Sequence, residues 1–129
     1  MNAITREWVE KADADFISAG REYRARKQPN YDAACFHAQQ CVEKYLKARL
    51  AKANKPIPKT HDLAALLDLV LPLEPLWEPF RPQLETLTSY AVEFRYPGES
   101  ATRELAKIAV SDAKQIRKSI RQAFGLSEK

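Results

Sequence analysis

With 129 residues, 45% of them hydrophobic, 29% charged and only three glycines, the chain has the size and composition of a single globular domain and is excluded from the disordered, fibrous and collagen-like classes. Its longest apolar stretch, around Leu63 to Leu73, is interrupted by Asp68 and closed by Pro72, well short of the roughly 20 apolar residues of a membrane span; with Arg6, Glu7 and Glu10 in place of an apolar leader, the expectation is a cytoplasmic protein without a signal peptide. A formal net charge of +4 permits an acidic partner such as RNA but does not demand one.

From Arg6 to about Arg26, the apolar residues Trp8, Val9, Ala12, Phe16, Ala19 and Tyr23 fall within about 120° of one another at 100° per residue, which predicts an amphipathic surface helix capped by Thr5. Lys27-Gln28-Pro29-Asn30 supplies a stop and a new cap. The second helix, Tyr31 to about Ala53, has a wider apolar arc that includes Ala34, Cys35, Ala38, Cys41, Val42, Tyr45 and Leu46, and is expected to be the most buried. Phe36 lies on its opposite face among Gln40, Glu43, Lys44 and Lys47. A ring in such company is expected to cover a loop or a partner subunit rather than to stand in water. Cys35 and Cys41 are about 240° apart around the axis, so they cannot bridge within an intact helix and read as reduced, partly buried thiols.

Two prolines in Asn54-Lys55-Pro56-Ile57-Pro58 mark a linker. Thr60 is expected to cap a short helix with Asp62 in its first turn and Leu63, Leu66, Leu67, Val70 and Leu71 facing the core. Pro72, Pro75, Pro79 and Pro82 make the next stretch irregular, with Trp77 and Phe80 plugging the end of the bundle, and a regular helix runs from about Pro82 to Glu93. Phe94 to Glu99 is a loop around a Pro-Gly pair. Ser100 is expected to cap the last helix, whose apolar side is Ala101, Leu105, Ile108, Ala109, Ile116, Ile120 and Ala123 and whose stop is Gly125. The fold class is therefore all-α: one domain over residues 1–129, an antiparallel up-and-down four-helix bundle with one short additional helix.

Three strings carry a resemblance: Cys35-Phe36-His37-Ala38-Gln39-Gln40-Cys41-Val42-Glu43-Lys44-Tyr45-Leu46-Lys47-Ala48, then Lys59-Thr60-His61-Asp62-Leu63, then Arg95-Tyr96-Pro97. With Trp8 and the Lys11-Ala12 to Asp15 spacing, their order resembles the HEPN family of prokaryotic helical domains over nearly the whole chain. The resemblance implies a bundle that is usually a homodimer, often paired with a minimal nucleotidyltransferase, and in many relatives a metal-independent ribonuclease or toxin. The family's signature there is an Arg followed at short range by a His. Arg95 matches the arginine, but Ser100, Ala101 and Thr102 occupy the positions where the histidine would fall. None of these three can exchange a proton near neutral pH, as cleavage at a 2′-hydroxyl without metal requires.

Any acid–base proposal must then use His37 or His61, the two imidazoles of the chain, or import a group from a partner, with Arg95 as the third catalytic candidate. His37 reads more simply as a hydrogen-bonded structural side chain and His61 as part of a helix start. Arg95, on a loop between helices, offers a planar fork for phosphate or carboxylate. The candidate ligand or partner face comprises Gln40, Lys44, Lys47, Asp62, Arg95 and Tyr96, and the candidate homodimer face Phe36, Gln40, Glu43 and Lys47. On the last helix Arg103, Lys107, Lys114, Lys118 and Arg121 fall within about 60° of one another as a basic stripe, without an aromatic residue among them. No Gly-rich phosphate loop, HExxH or metal-ligand cluster is present, so neither metal nor cofactor is expected. The preferred reading is a non-catalytic HEPN-like module binding a nucleotidyltransferase partner or a nucleotide. The alternatives are a divergent metal-independent ribonuclease toxin and an electrostatic nucleic-acid binder.

Overall fold

Capping side chains set where the helices begin. In the computed structural model, which describes residues 1–128, α1 spans Ala3–Arg24, and its cap is Asn2, whose Oδ1 accepts from Thr5 N at 2.8 Å. The expected cap Thr5 lies inside the helix and is fully buried. Asn30 caps α2 (Tyr31–Lys52) as expected. Two further caps are displaced from the expected residues. Thr60 Oγ1 accepts only from Asp62 N, and Asp62 Oδ1 caps α3 (Leu63–Val70) through Ala64 N and Ala65 N at 3.0 and 3.3 Å. Thr102, not Ser100, caps α5 (Arg103–Ala123), because Asp32 Oδ1 takes Ala101 N at 2.6 Å and ties that segment to the start of α2. Between them, Pro75–Phe80 forms a 3-10 turn that leads into α4 (Arg81–Glu93).

Side-chain pairs across the helices fix their directions. Asp13 meets Arg117 and Arg121, Asp32 meets Ala101, Tyr45 meets Arg121, and Gln83 meets Asp112 and Gln115. With the short turn joining α1 to α2, these contacts make α1, α2, α4 and α5 an up-down-up-down bundle, with α3 as the short additional helix. No strand is present among the described residues. Helix α2 touches α1, α3, α4 and α5 and contributes Ala34, Cys35, Ala38, Cys41, Val42, Tyr45, Leu46, Ala48 and Leu50 to the core. Trp77 is buried as expected and Phe80 is packed against the core. The buried side of α5 differs from expectation. Ala106 and Ala113 are fully buried beside Ala109, Ile116 and Ile120, while Ile108 is 48% exposed. Small side chains on α5 meet the alanines of α2, and the spacing between packed helices follows the side chains at the contact.

Apart from the Thr5 hydroxyl, which is buried without a hydrogen-bond partner among the described residues, the polar groups caught between the helices are paired. Asp13 of α1 accepts from the Tyr45 hydroxyl, from Arg117 Nε at 3.0 Å and from Arg121 Nη1 at 2.9 Å, joining α1, α2 and α5 through one carboxylate. Arg117 also lies 4.7 Å from the centre of the Phe16 ring. Arg121, expected on the basic stripe, thus turns inward, and its side chain is 11% exposed. Arg103, Lys107, Lys114 and Lys118 remain on the outer face.

We expect Asp13→Asn to cost about 2 kcal/mol, since it removes the charge that joins two nearly buried guanidinium groups to the Tyr45 hydroxyl, which corresponds to a fall on the order of 8 °C in Tm; thermal denaturation followed by circular dichroism measures it, and an unchanged midpoint contradicts the clamp. Both cysteines are buried. Burial, with the Asp32 charge nearby, pushes the Cys35 thiol up to about 11, and burial raises Cys41 further. A thiol reagent at pH 8 should therefore label neither residue in the native protein and both in denaturant, because the thiolate is the reactive form; rapid native labelling would show that the helix opens locally.

Candidate functional site

The Glu43 side chain on α2 is 5% exposed, and a polar group so buried needs hydrogen-bond partners. It accepts from Lys47 Nζ one turn later at 3.1 Å, from Gln39 Nε2 one turn earlier at 3.2 Å, and lies 2.9 Å from His61 Nδ1. Gln39 Nε2 also donates to the His61 carbonyl at 2.9 Å, and Gln40 Nε2 donates to Gln39 Oε1 at 2.8 Å. Lys47 Nζ lies 5.8 Å from the centre of the Trp8 ring, a cation–π arrangement. Glu43 and Lys47, expected on a polar rim between subunits, are thus enclosed within their own chain at 3% and 5% exposure. Trp8 of α1 lies by Lys47, and the turn before α3 brings His61 onto Glu43.

This network anchors the turn at His61-Asp62 beside α2 and leaves a cleft of about 390 Å³ between that turn, the first half of α2 and the last turns of α4. Phe36, Ala91 and Val92 form its apolar wall, and Gln40, His61, Asp62, Thr88 and Arg95 its polar one. Thr88 Oγ1 accepts from Leu63 N at 3.1 Å, which holds the start of α3 against α4. The His61 ring is 75% exposed. With Nδ1 toward Glu43, its Nε2 has no partner among the described residues. Arg95 likewise makes no ion pair among them and borders a second hollow, of about 270 Å³, that shares Phe36 and Ala91 with the first. The cleft therefore presents a free guanidinium, an imidazole backed by a buried carboxylate, and an amide beside an apolar wall. These groups suit an anion attached to a flat or apolar body.

Of the residues singled out in the sequence, Gln40, His61, Asp62, Arg95 and Phe36 come together here, with the carboxylate of Asp62 occupied as the α3 cap. His37 and Lys44 do not. Both face α1, where His37 Nδ1 lies 2.8 Å from Asp15 Oδ1 and Lys44 Nζ 2.5 Å from Asp15 Oδ2, so one carboxylate occupies both. Tyr96 stands 66% exposed outside the cleft, and Lys47 is in the interior. Gln39, Thr88 and Val92 escaped the sequence reading, because a Gln on an apolar arc, a Thr in mid-helix and a Val near a helix end carry no signal of a site. No group of three His, Cys, Asp or Glu side chains able to hold a metal occurs among the described residues.

An up-down-up-down bundle with a short fifth helix, a buried carboxylate under the third-helix turn and an arginine at the end of α4 defines a small all-helical domain. A family model for the HEPN domain matches residues 5–123, and the chain belongs to that family. The crystal structure of TT1696 from Thermus thermophilus is similar, with a TM-score of 0.78 at 22% identity over 92% of this chain and 96% of that one; at that identity it shows the shared fold. No curated protein sequence matches the chain significantly. No helix among the described residues is long and apolar enough to cross a membrane.

Removing the carboxylate at the base of the cleft tests this construction. Glu43→Ala should cost about 3 kcal/mol, because it strands the ammonium of Lys47 in the interior and releases the His61 turn. Urea unfolding measures the loss, and Glu43→Ala/Lys47→Met should recover part of it, since an apolar residue of similar length needs no counter-charge.

Proposed function

We propose that this chain is a non-catalytic HEPN module that binds a nucleotide-bearing ligand, free or presented by a minimal nucleotidyltransferase partner, in the cleft between α2, the His61-Asp62 turn and α4. The observation that carries the reading is Arg95, a guanidinium without an ion pair on a cleft it shares with Gln40 and His61. A phosphate takes the guanidinium fork in two parallel hydrogen bonds, and a base or partner side chain covers the exposed edges of Phe36 and Val92, which are 37% and 60% exposed. The same apolar edge suits a homodimer in which two copies meet through Phe36, since burying a ring of that size contributes roughly 1.5–3 kcal/mol. The polar rim of that interface would be Gln40 and the 95–97 turn rather than Glu43 and Lys47, which are enclosed.

A second reading, the divergent metal-independent ribonuclease, draws on a different observation: the imidazole of His61 is backed by Glu43 at 2.9 Å on the cleft that also holds Arg95. That pairing fixes a tautomer able to exchange a proton at Nε2. Lys44 and His37 contribute to neither reading, being committed to Asp15.

Titration calorimetry with ATP, ADP and AMP should show binding that Arg95→Ala weakens about tenfold or more, the loss of a charge-assisted hydrogen bond, while RNA incubated with the protein in EDTA stays intact. Absence of nucleotide binding in wild type together with EDTA-resistant RNA cleavage that disappears in both Arg95→Ala and His61→Ala would replace the binding module with the ribonuclease.

A further inference from the structure

At the head of the bundle, where α1 ends, α2 begins and α5 begins, lies a hollow of about 420 Å³ lined by Tyr23, Arg24, Ala25, Arg26, Tyr31 and Arg103, with no acidic side chain among them. Arg49, Arg81, Arg117 and Arg121 elsewhere in the chain are all paired with carboxylates. Arg24, Arg26 and Arg103 make no ion pair among the described residues. Arg24, in the last turn of α1, is favoured there by the helix dipole, but Arg103 is not. Arg103 is the first residue of α5, where the helix dipole disfavours a cation, and two more guanidinium groups share its cavity. A bound anion relieves the crowding of the three guanidinium groups and the unfavourable dipole at Arg103.

Local geometry also orders these arginines, which are themselves exposed. Gly20 on α1 has no Cβ, and one added there would come within 2.7 Å of Arg24 Nη1, so the guanidinium of Arg24 lies against the helix over the glycine. The turn carrying Arg26 is held by Gln28 in the left-handed region at φ 50, by Pro29, and by the Asn30 cap. Tyr23 and Tyr31 are half-buried, packed against the core while lining the hollow. From Arg103 the outer face of α5 continues through Lys107, Lys114 and Lys118, all exposed, over about 22 Å of helix. The basic stripe, which carries no aromatic residue of its own, thus runs into two tyrosines supplied by other helices.

We infer that this hollow and the stripe leading from it bind single-stranded nucleic acid, with phosphates on Arg24, Arg26, Arg103 and the α5 lysines and a base against Tyr23 or Tyr31. A positive groove that tracks the backbone, combined with aromatic rings for unpaired bases, is the physical requirement for such binding. The site shares no lining residue with the Arg95 cleft and does not rest on the function proposed for it.

Fluorescence anisotropy of a fluorescein-labelled oligouridylate with the full-length protein tests the inference. Arg24→Gln/Arg26→Gln, both on exposed positions, should weaken binding about tenfold or more, and Tyr23→Leu should weaken it about fivefold or more through lost stacking. Lys107→Gln/Lys114→Gln/Lys118→Gln should flatten the slope of log affinity against log salt by about 0.7 per phosphate released, with the thermal midpoint unchanged since the side chains are exposed. Arg95→Ala should keep the oligouridylate affinity, which separates this site from the cleft. Unchanged affinity in Arg24→Gln/Arg26→Gln with an intact circular dichroism spectrum would overturn the proposal. So would a duplex of equal length binding as tightly as the single strand, because paired bases offer no face to the tyrosines, or polyglutamate competing as well as the oligonucleotide.

Discussion

The enclosure of α2 is the constraint on which the rest of this structure depends. Four other helices lie against it, and its buried positions occur around most of the axis, from Ala34 and Cys35 through Gln39 and Glu43 to Lys47 and Leu50. Apart from the face of Phe36, Gln40 and Lys44, the helix is enclosed, and a helix so enclosed is expected to be largely apolar, yet this one carries a Gln, a Glu, a Lys and a Tyr hydroxyl into the interior. Each such group costs several kcal/mol if left alone. The neighbouring elements are arranged to meet that cost: Asp13 comes from α1 to the Tyr45 hydroxyl, Trp8 from α1 to Lys47, and the turn before α3 to Glu43 and Gln39.

Those obligations also shape the cleft. Because Gln39 holds the His61 carbonyl and Glu43 its imidazole, the turn before α3 stays close to α2, while Thr88 ties the start of α3 to α4. The space between these anchored elements is walled by residues already committed to structure, with Asp62 spent on the α3 cap and Gln40 on Gln39. What is left uncommitted is Arg95, the outer nitrogen of His61 and the edges of Phe36 and Val92. A binding surface made of such leftovers on a rigid frame is preorganised, so that a ligand spends little free energy on ordering it.

The positive charge of the chain divides in the same way. Arg117 and Arg121 on Asp13, Arg49 on Glu74 and Arg81 on Asp68 and Glu78 are neutralised and serve to join elements. The guanidinium groups without carboxylate partners include Arg95 beside the cleft and the three at the head of the bundle. The formal net charge of +4 is therefore not spread evenly as a solubility device, and the stripe on α5 is the exposed remainder of a helix whose last arginine has been drawn inside.

Helical periodicity alone placed the four long helices, the short α3, the Pro-rich break and the deep burial of α2, since the repeat of apolar residues reports the face that must leave water. The exposed ring of Phe36 was readable for the same reason, as an apolar residue out of phase with its helix. Cap positions were legible only to within about three residues, because Thr60 and Asp62, or Ser100 and Thr102, are equivalent acceptors in sequence and the contact of Asp32 with Ala101 N chooses between the second pair. Glu43 and Lys47, one turn apart, read as part of a polar rim between subunits; their burial within the chain was decided by Trp8 and His61, residues far away along the chain. Arg121 read as one more basic side chain of the stripe until Asp13 and Tyr45 gave it an interior partner. Tyr23, Tyr31 and Arg103 showed no relation in the sequence, and only the packing of α1, α2 and α5 at one end of the bundle gathers them. Local pattern determines which face of each helix is buried, a matter of nearest neighbours along one axis; which polar groups are then paired and which remain free is a property of contacts between axes, and tertiary structure alone sets it.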